Sequence, residues 1–155
     1  MEVFIGIDPG KSGAYAVLVR QEDGVAAHVF PWDEKAYTRL MRDLVIGHGP
    51  QNMYALIERV SAMPGQGVKS MFTFGEQYGF LQGVLAGHGI PYETVPPQAW
   101  KKYYHLGKDK QASIDTARRL YPDVDLHRTE RCKTEHDGMA EALLIANYAM
   151  LRKGL

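Results

Sequence analysis

Three short apolar runs open the chain, "VFIGID" (3–8), "GAYAVLVR" (13–20) and "GVAAHVF" (24–30), separated by the glycine-bearing turns "PGKSG" and "QEDG". Runs of this length joined by tight turns predict three strands paired as antiparallel hairpins. The period then changes. "DEKAYTRLMRDLVIG" (33–47) has acids at its start, apolar residues near helical spacing and glycine at its end, which are the boundary signals of a helix. "MYALIERV" (53–60) is apolar at most positions and predicts a strand buried on both faces. A helix is expected from Ser70 to His88, a short strand at "YETV" (92–95), and helices over 97–105, 109–120 and 136–152. Strands followed by helices in this order predict an α/β fold, a five-stranded mixed sheet with helices on both faces.

Composition narrows the picture. The 155 residues are 45% hydrophobic, enough for one domain over residues 1–155 with a core of its own. Glycine and proline are scattered, nothing repeats, and no stretch reads as a linker. There is no apolar run of about 18 residues to span a bilayer, and "MEVFIGID" lacks a basic flank before a cleavable apolar region, so a cytoplasmic protein with no membrane partner is expected. Cys132 is the only cysteine, which leaves no internal disulfide and no zinc pair, and it reads as a reduced thiol. The formal net charge of zero argues against a chain coated in basic residues. The distribution is uneven, however. Residues 97–134 hold nine Lys and Arg against five acids, a local charge of +4 that leaves −4 elsewhere. One face can therefore be basic while another gathers carboxylates.

The acids sit in unusual places. Asp137 and Glu141 lie four apart at the start of the last helix, on one stripe, where like charges repel by a few tenths of a kcal/mol, roughly. The field of a helix N-terminus offsets part of this. Asp8 ends the first strand, and Glu58 stands at the end of an otherwise apolar strand. A carboxylate finishing a hydrophobic strand wants a cation. Singly each has a plainer reading, Asp8 as a turn former before Pro9 and Gly10 and Glu58 as a partner of Arg59 or a lysine. Together the four form an oxygen-only donor set that suits Mg²⁺ or Mn²⁺, and two such ions about 4 Å apart can activate water and stabilise the leaving oxygen of a phosphodiester. "GIDPGKSG" is not a phosphate-binding P-loop, because Ile5 stands where that motif needs glycine. An actin-like ATPase would need a second domain and a second aspartate loop. Of the six histidines none forms a zinc pair; His136, beside Asp137, either caps the last helix or orients water.

Three segments, "IGIDPGKSGAYAVL", "ALIERVSAMPGQGVKSMFTFGEQYGFLQGVLAGHGIPYETVPPQAWKK" and "EHDGMAEALLIANY", resemble the RuvC-type Holliday junction resolvases, most of all their phage and prophage branch, over nearly the whole chain. The resemblance implies a ribonuclease H-like fold and a Mg²⁺-dependent endodeoxyribonuclease that resolves four-way DNA junctions by paired nicks, with Mn²⁺ as a substitute, two ions per site and no small-molecule cofactor. Asp8, Glu58, Asp137 and Glu141 take the metal-binding roles, with Glu141 expected to tolerate amide substitution best. Lys101 and Lys110 match lysines that contact phosphate near the scissile bond. The loop "HRTERCK" has little apolar periodicity and three cations, Arg128, Arg131 and Lys133, which read either as further DNA contacts or as charge that only solvates the fold. Trp100 is expected to be buried beside Pro96 and Pro97 rather than stacked on a base. The helix over 70–88 carries more apolar surface than one core-facing stripe needs, with Gly75, Gly79 and Gly83 at every fourth place; tight packing of the helix on the sheet is one reading, and the resemblance implies the other, a homodimer through this helix with Phe74, Tyr78, Leu81 and Leu85 as its surface. Branched-DNA or flap cleavage, an architectural junction-binding module and a structured-RNA ribonuclease are the alternatives on the same residues.

Overall fold

The computed structural model of the protein describes residues 1–154. β1 (Glu2–Asp8), β2 (Ala14–Gln21) and β3 (Gly24–Pro31) form the expected antiparallel meander. α1 (Glu34–His48) follows, capped by Asp33, whose carboxylate accepts from the Ala36 amide at 2.8 Å. A short 3₁₀ turn (Pro50–Asn52) leads into β4 (Met53–Glu58), which runs parallel to β1. Then come α2 (Val68–Gly87), β5 (Tyr92–Val95) parallel to β4, α3 (Pro97–Tyr103), α4 (Lys110–Leu120) and α5 (Asp137–Lys153). The five-stranded mixed sheet has the order β3-β2-β1-β4-β5. Three boundaries move by two residues from expectation, the first being the end of β4 at Glu58 rather than Val60. α2 begins at Val68 rather than Ser70, and α3 stops at Tyr103 because His105 takes a left-handed φ of 56°, which no α-helix continues through.

Period-two alternation along the central strands divides the core. Val3, Ile5 and Ile7 of β1, with Met53, Ala55 and Ile57 of β4, face α1 and α2. Phe4 of β1, with Tyr54 and Leu56 of β4, faces α5 and its neighbours α3 and α4. α5 is buried continuously from Gly138 to Ala140 and from Ala142 to Asn147, so nearly all of its first three turns lie against the sheet. Gly6 explains how it lies so close. A Cβ at that position would fall inside the Ala146 amide nitrogen and the Ala142 carbonyl oxygen, so the helix backbone rests directly on the strand backbone.

α2 has two faces of different character. Leu81 and Leu85 are 0% exposed and pack with Tyr37 and Met41 of α1, while the Tyr37 hydroxyl donates to the Leu81 carbonyl oxygen at 2.8 Å. Their expected place on an outward dimer surface is therefore wrong. Residues two apart on a helix point about 200° apart, so the stripe of Gly75, Gly79 and Gly83 and the pair Leu81 and Leu85 cannot share a face. The glycines meet open space, Phe72 and Val68 are exposed at 70% and 88%, and Phe74 and Tyr78 lie half-buried at the flank. Among the described residues no helix is long and apolar enough to cross a membrane.

The contrast between glycines is testable. Gly6→Ala is expected to cost at least about 3 kcal/mol, because backbone rather than a movable side chain meets the new methyl. Gly83→Ala, in open space on a helix, is expected to stabilise by about 0.5–1 kcal/mol. Urea unfolding followed by circular dichroism checks both.

Candidate active site

β1 and β4 are parallel neighbours with Ile7 opposite Ile57, so the next residues, Asp8 and Glu58, emerge side by side at the same end of the sheet. Each lies two positions beyond a residue on the α5 face, Gly6 in one case and Leu56 in the other, and alternation turns both carboxylates toward α5. Glu141, one turn into α5, completes the group. One carboxylate oxygen from each of Asp8, Glu58 and Glu141 lies within 4.8 Å of the others. The start of α5 is set by a second tight contact, since a side chain at Gly138 would meet the Ser12 carbonyl oxygen of the β1–β2 turn at 2.6 Å.

Around this cluster stand groups that steady it. Lys101 Nζ lies 3.9 Å from Glu141 Oε1 and 5.5 Å from the ring of Trp100. Trp100 is fully buried and donates its indole N–H to Glu58 Oε2 at 2.9 Å. Gln77 of α2 clamps the turn after Asp8 at two points, accepting from the Gly10 amide at 2.7 Å and donating to the Gly10 carbonyl oxygen at 2.9 Å. Gly10 has φ 129°, a conformation glycine tolerates. His136 caps α5, its Nδ1 accepting from the Met139 amide at 3.2 Å, so that Nδ1 is the unprotonated nitrogen of the ring. Burial also holds its pKa below the ordinary value.

The electrostatics show what the cluster lacks. Burial foremost, then the charges of Glu141, Glu58 and Asp137, raise the Asp8 carboxyl well above the usual range, and Lys101 offsets only part of this. Burial is also the main cause for Glu141, pushed up to about 7, where Lys101 acts against it and Glu58 and Asp137 reinforce it. Glu58 is raised by burial too, while the Trp100 N–H and Lys101 pull it back. Three desolvated carboxylates with one ammonium nearby are short of positive charge. The donors are all hard oxygens on rigid elements, so Asp8, Glu58 and Glu141 fit a divalent cation such as Mg²⁺ or Mn²⁺.

The four expected acids thus divide. Asp137 lies outside the three-carboxylate group and pairs with Lys110, Oδ2 to Nζ at 3.3 Å. The helical pair is reversed from expectation: Glu141, deeper along the helix, reaches the strand acids, and Asp137 faces the solvent side of the site. Lys101 reaches the cluster through Glu141, while Lys110 stands at its edge on Asp137. Arg128, Arg131 and Lys133 are exposed on the loop between α4 and α5 and contribute no ligand to the carboxylate group. Trp100 is buried as expected, but its bond to Glu58 was not foreseen. A tryptophan in an apolar setting must find an acceptor for its N–H, and Glu58 is an acid in a strand that needs a donor; nothing in the sequence pairs residues 42 apart. Gln77 gave no signal at all, because a glutamine on a helix is ordinary.

The strand order, the parallel pair carrying Asp8 and Glu58, and a long helix laid across them define a ribonuclease H-like α/β fold with an acidic centre at the end of its middle strands. Solved Holliday junction resolvases share this fold. Thermus thermophilus RuvC in complex with Holliday junction substrate aligns with TM-score 0.61 and 14% identity over 99% of this chain and 97% of that one. A second Thermus thermophilus RuvC structure aligns with TM-score 0.58 and 16% identity over 98% and 96%. The yeast mitochondrial Holliday junction resolvase Ydc2 aligns with TM-score 0.57 and 16% identity over 94% of this chain and 76% of that one. At these identities the likeness is one of fold. No family model matches the chain, and no curated protein matches it by sequence.

The raised carboxyls have a consequence for stability. Between the ordinary value of 4.5 and about 7, folded Glu141 keeps a proton that the unfolded chain has released. Stability in the absence of metal is therefore expected to fall as pH rises through that window, by on the order of 3 kcal/mol for Glu141 alone. A divalent cation prefers the ionised form, so Mg²⁺ should raise the melting temperature at pH 8 far more than at pH 5. Asp8→Asn should be more stable than the parent at pH 8 without metal and gain little from Mg²⁺. Thermal melts across pH, with Mg²⁺ and with chelator, check the sign.

Proposed function

We propose that the protein is a divalent-metal-dependent, structure-selective endodeoxyribonuclease that resolves four-way DNA junctions. The observation that carries this reading is the meeting of Asp8, Glu58 and Glu141 within 4.8 Å, beside Lys101, on a fold shared with junction resolvases. Mg²⁺ or Mn²⁺ at this centre supplies activation of water and charge stabilisation for phosphodiester hydrolysis. The chain's own groups do the rest. Asp8, Glu58 and Glu141 would hold the cation, and Asp137, outside that group beside Lys110, would serve a second ion were one to bind. Lys101 attracts the phosphate and steadies charge that develops on its oxygens. Lys110, exposed beside Asp137, and Arg128, Arg131 and Lys133 on the adjoining loop provide phosphate contacts that hold the branch in place. A pure binding module would gain nothing from buried acids facing a polyanion, which disfavours the architectural alternative.

Two symmetric nicks require two sites related by a two-fold axis, which a homodimer provides. The open face of α2 is the seam we assign to that dimer, with Val68, Phe72, Gly75, Gly79 and Gly83 at its centre and Phe74 and Tyr78 at its flank, because these residues are exposed or meet open space. Small residues let two such helices approach closely. Gln77 projects from the same helix to the turn after Asp8, so the paired helices and the catalytic acids form one rigid unit.

Asp8→Asn, Glu58→Gln and Glu141→Gln are each expected to lower junction cleavage by more than about 100-fold, beyond what loss of an outer-sphere partner costs. Binding to the junction in Ca²⁺ should persist, since repulsion toward phosphate falls. Asp137→Asn should be the mildest of the four. Cleavage of labelled four-way, flap and linear DNA with Mg²⁺ checks activity and substrate together, and cleavage of linear duplex at the rate of a junction would overturn the structure-selective reading.

Gly79→Glu tests the dimer without disturbing the core, because the new side chain meets open space and favours the helix. The variant is expected to fold, to run as a monomer by light scattering, and to yield nicked rather than linear product from a cruciform plasmid.

A further inference from the structure

Trp100 presents a problem that its burial alone does not solve. It is among the largest fully buried side chains of the protein and packs in the core beneath α5 with Val95, Leu56 and their neighbours. A phenylalanine would fill much of that space without bringing a polar atom inside. The indole N–H is a donor that accepts nothing in return, and with the side chain 0% exposed it has no water to turn to. The acceptor it finds is Glu58 Oε2, at 2.9 Å. The contact runs between elements placed far apart in sequence, from the fourth residue of a seven-residue helix to the last residue of β4.

We infer that Trp100 is a positioning residue for the metal centre: its N–H fixes the rotation of the Glu58 carboxylate so that one oxygen is held by the indole and the other is left for a cation shared with Asp8 and Glu141. Three features of α3 support this. Pro96 and Pro97 fix the backbone where the helix begins, so the indole enters at a set angle. The indole plane is rigid and locked by packing, which a charged partner on a long side chain is not. Lys101, the next residue, lies over the same ring at 5.5 Å and reaches Glu141 at 3.9 Å. One short helix thereby orients two of the three clustered carboxylates, Glu58 by a hydrogen bond and Glu141 by charge. Partners of this kind fix a ligand's orientation, and losing one costs 10–100-fold in metal affinity, roughly.

The inference rests on the metal-dependent reading of the site, and the test separates the two. Mn²⁺ binding to the full chain without DNA is measured by calorimetry for the parent, Trp100→Phe, Glu58→Gln and the double variant. The parent should bind Mn²⁺, Trp100→Phe should bind it about 10–100-fold more weakly while melting as a folded protein, and Trp100→Phe should have no further effect once Glu58 is Gln. A parent that binds no Mn²⁺ overturns the metal centre itself. A parent that binds while Trp100→Phe binds equally well overturns the positioning role alone. An equal loss in the Glu58→Gln background overturns it too, since the indole then acts by packing. A second readout needs no change at Trp100: the protein has two tryptophans, so Trp32→Phe leaves Trp100 as the sole tryptophan, and its fluorescence, excited beyond the tyrosine absorption band, should change as Mn²⁺ fills the site and stay constant in Glu58→Gln. Emission indifferent to saturating Mn²⁺ would sink the proposal even if Trp100→Phe failed to fold.

Discussion

The contact between the backbones of β1 and α5 at Gly6 sets the geometry on which the rest of the molecule depends. A strand and a helix ordinarily stand apart by the thickness of their side chains; here the strand has none at the crossing, and the helix presents Ala142 and Ala146. Glu141 precedes the first of these alanines, so the approach that lets the helix lie down also lowers a carboxylate onto the end of β1. Gly138 repeats the device at the Ser12 carbonyl oxygen, fixing the helix start against the turn that follows Asp8. A methyl at either place would collide with backbone and push the start of α5, and Glu141 with it, away from the strand ends. Core packing and the spacing of the acidic centre are thus one constraint.

That constraint places charge where the protein alone cannot balance it. Asp8, Glu58 and Glu141 are driven toward their protonated forms chiefly by desolvation, with mutual repulsion adding to it for Asp8 and Glu141. The compensating cations come from the basic stretch between residues 97 and 134, which follows β5 and places Lys101 on Glu141 and Lys110 on Asp137. The two pairs differ in kind. Lys101 is two-thirds covered beside a well-buried Glu141, whereas Lys110 is 75% exposed and its pair is of the surface type that contributes little. An exposed ammonium so loosely held is free to leave Asp137 for another anion.

α2 joins the two scales of the molecule. Its inner stripe is core at Leu81 and Leu85 and, one turn before them, grips the turn after Asp8 through Gln77; its outer face carries Val68, Phe72 and three glycines in open space. A helix that cannot shift against the sheet without breaking two hydrogen bonds to Gly10 transmits position, so any partner seated on the outer face is held in fixed relation to the acidic centre.

Most of the elements were legible in the sequence because their signals are local: two periods of apolar spacing, glycine at the turns, acids at helix starts, proline before α3. The four acids were legible as outliers, charged residues where apolar ones belong, and the ribonuclease H-like sheet followed from their order along a known pattern. Which acids meet was not legible. Asp137 and Glu141 share a stripe in any helix, and only the close crossing at Gly6 decides that the deeper one touches Asp8 and Glu58. The faces of α2 were misread for a related reason. Composition alone placed glycines and leucines on one apolar surface, whereas the helix sets residues two apart on opposite sides and the sheet claims the leucines. Trp100 and Gln77 lay further beyond reach, since each acts through a partner 42 or 67 residues away, and such pairs exist only once the chain has closed on itself.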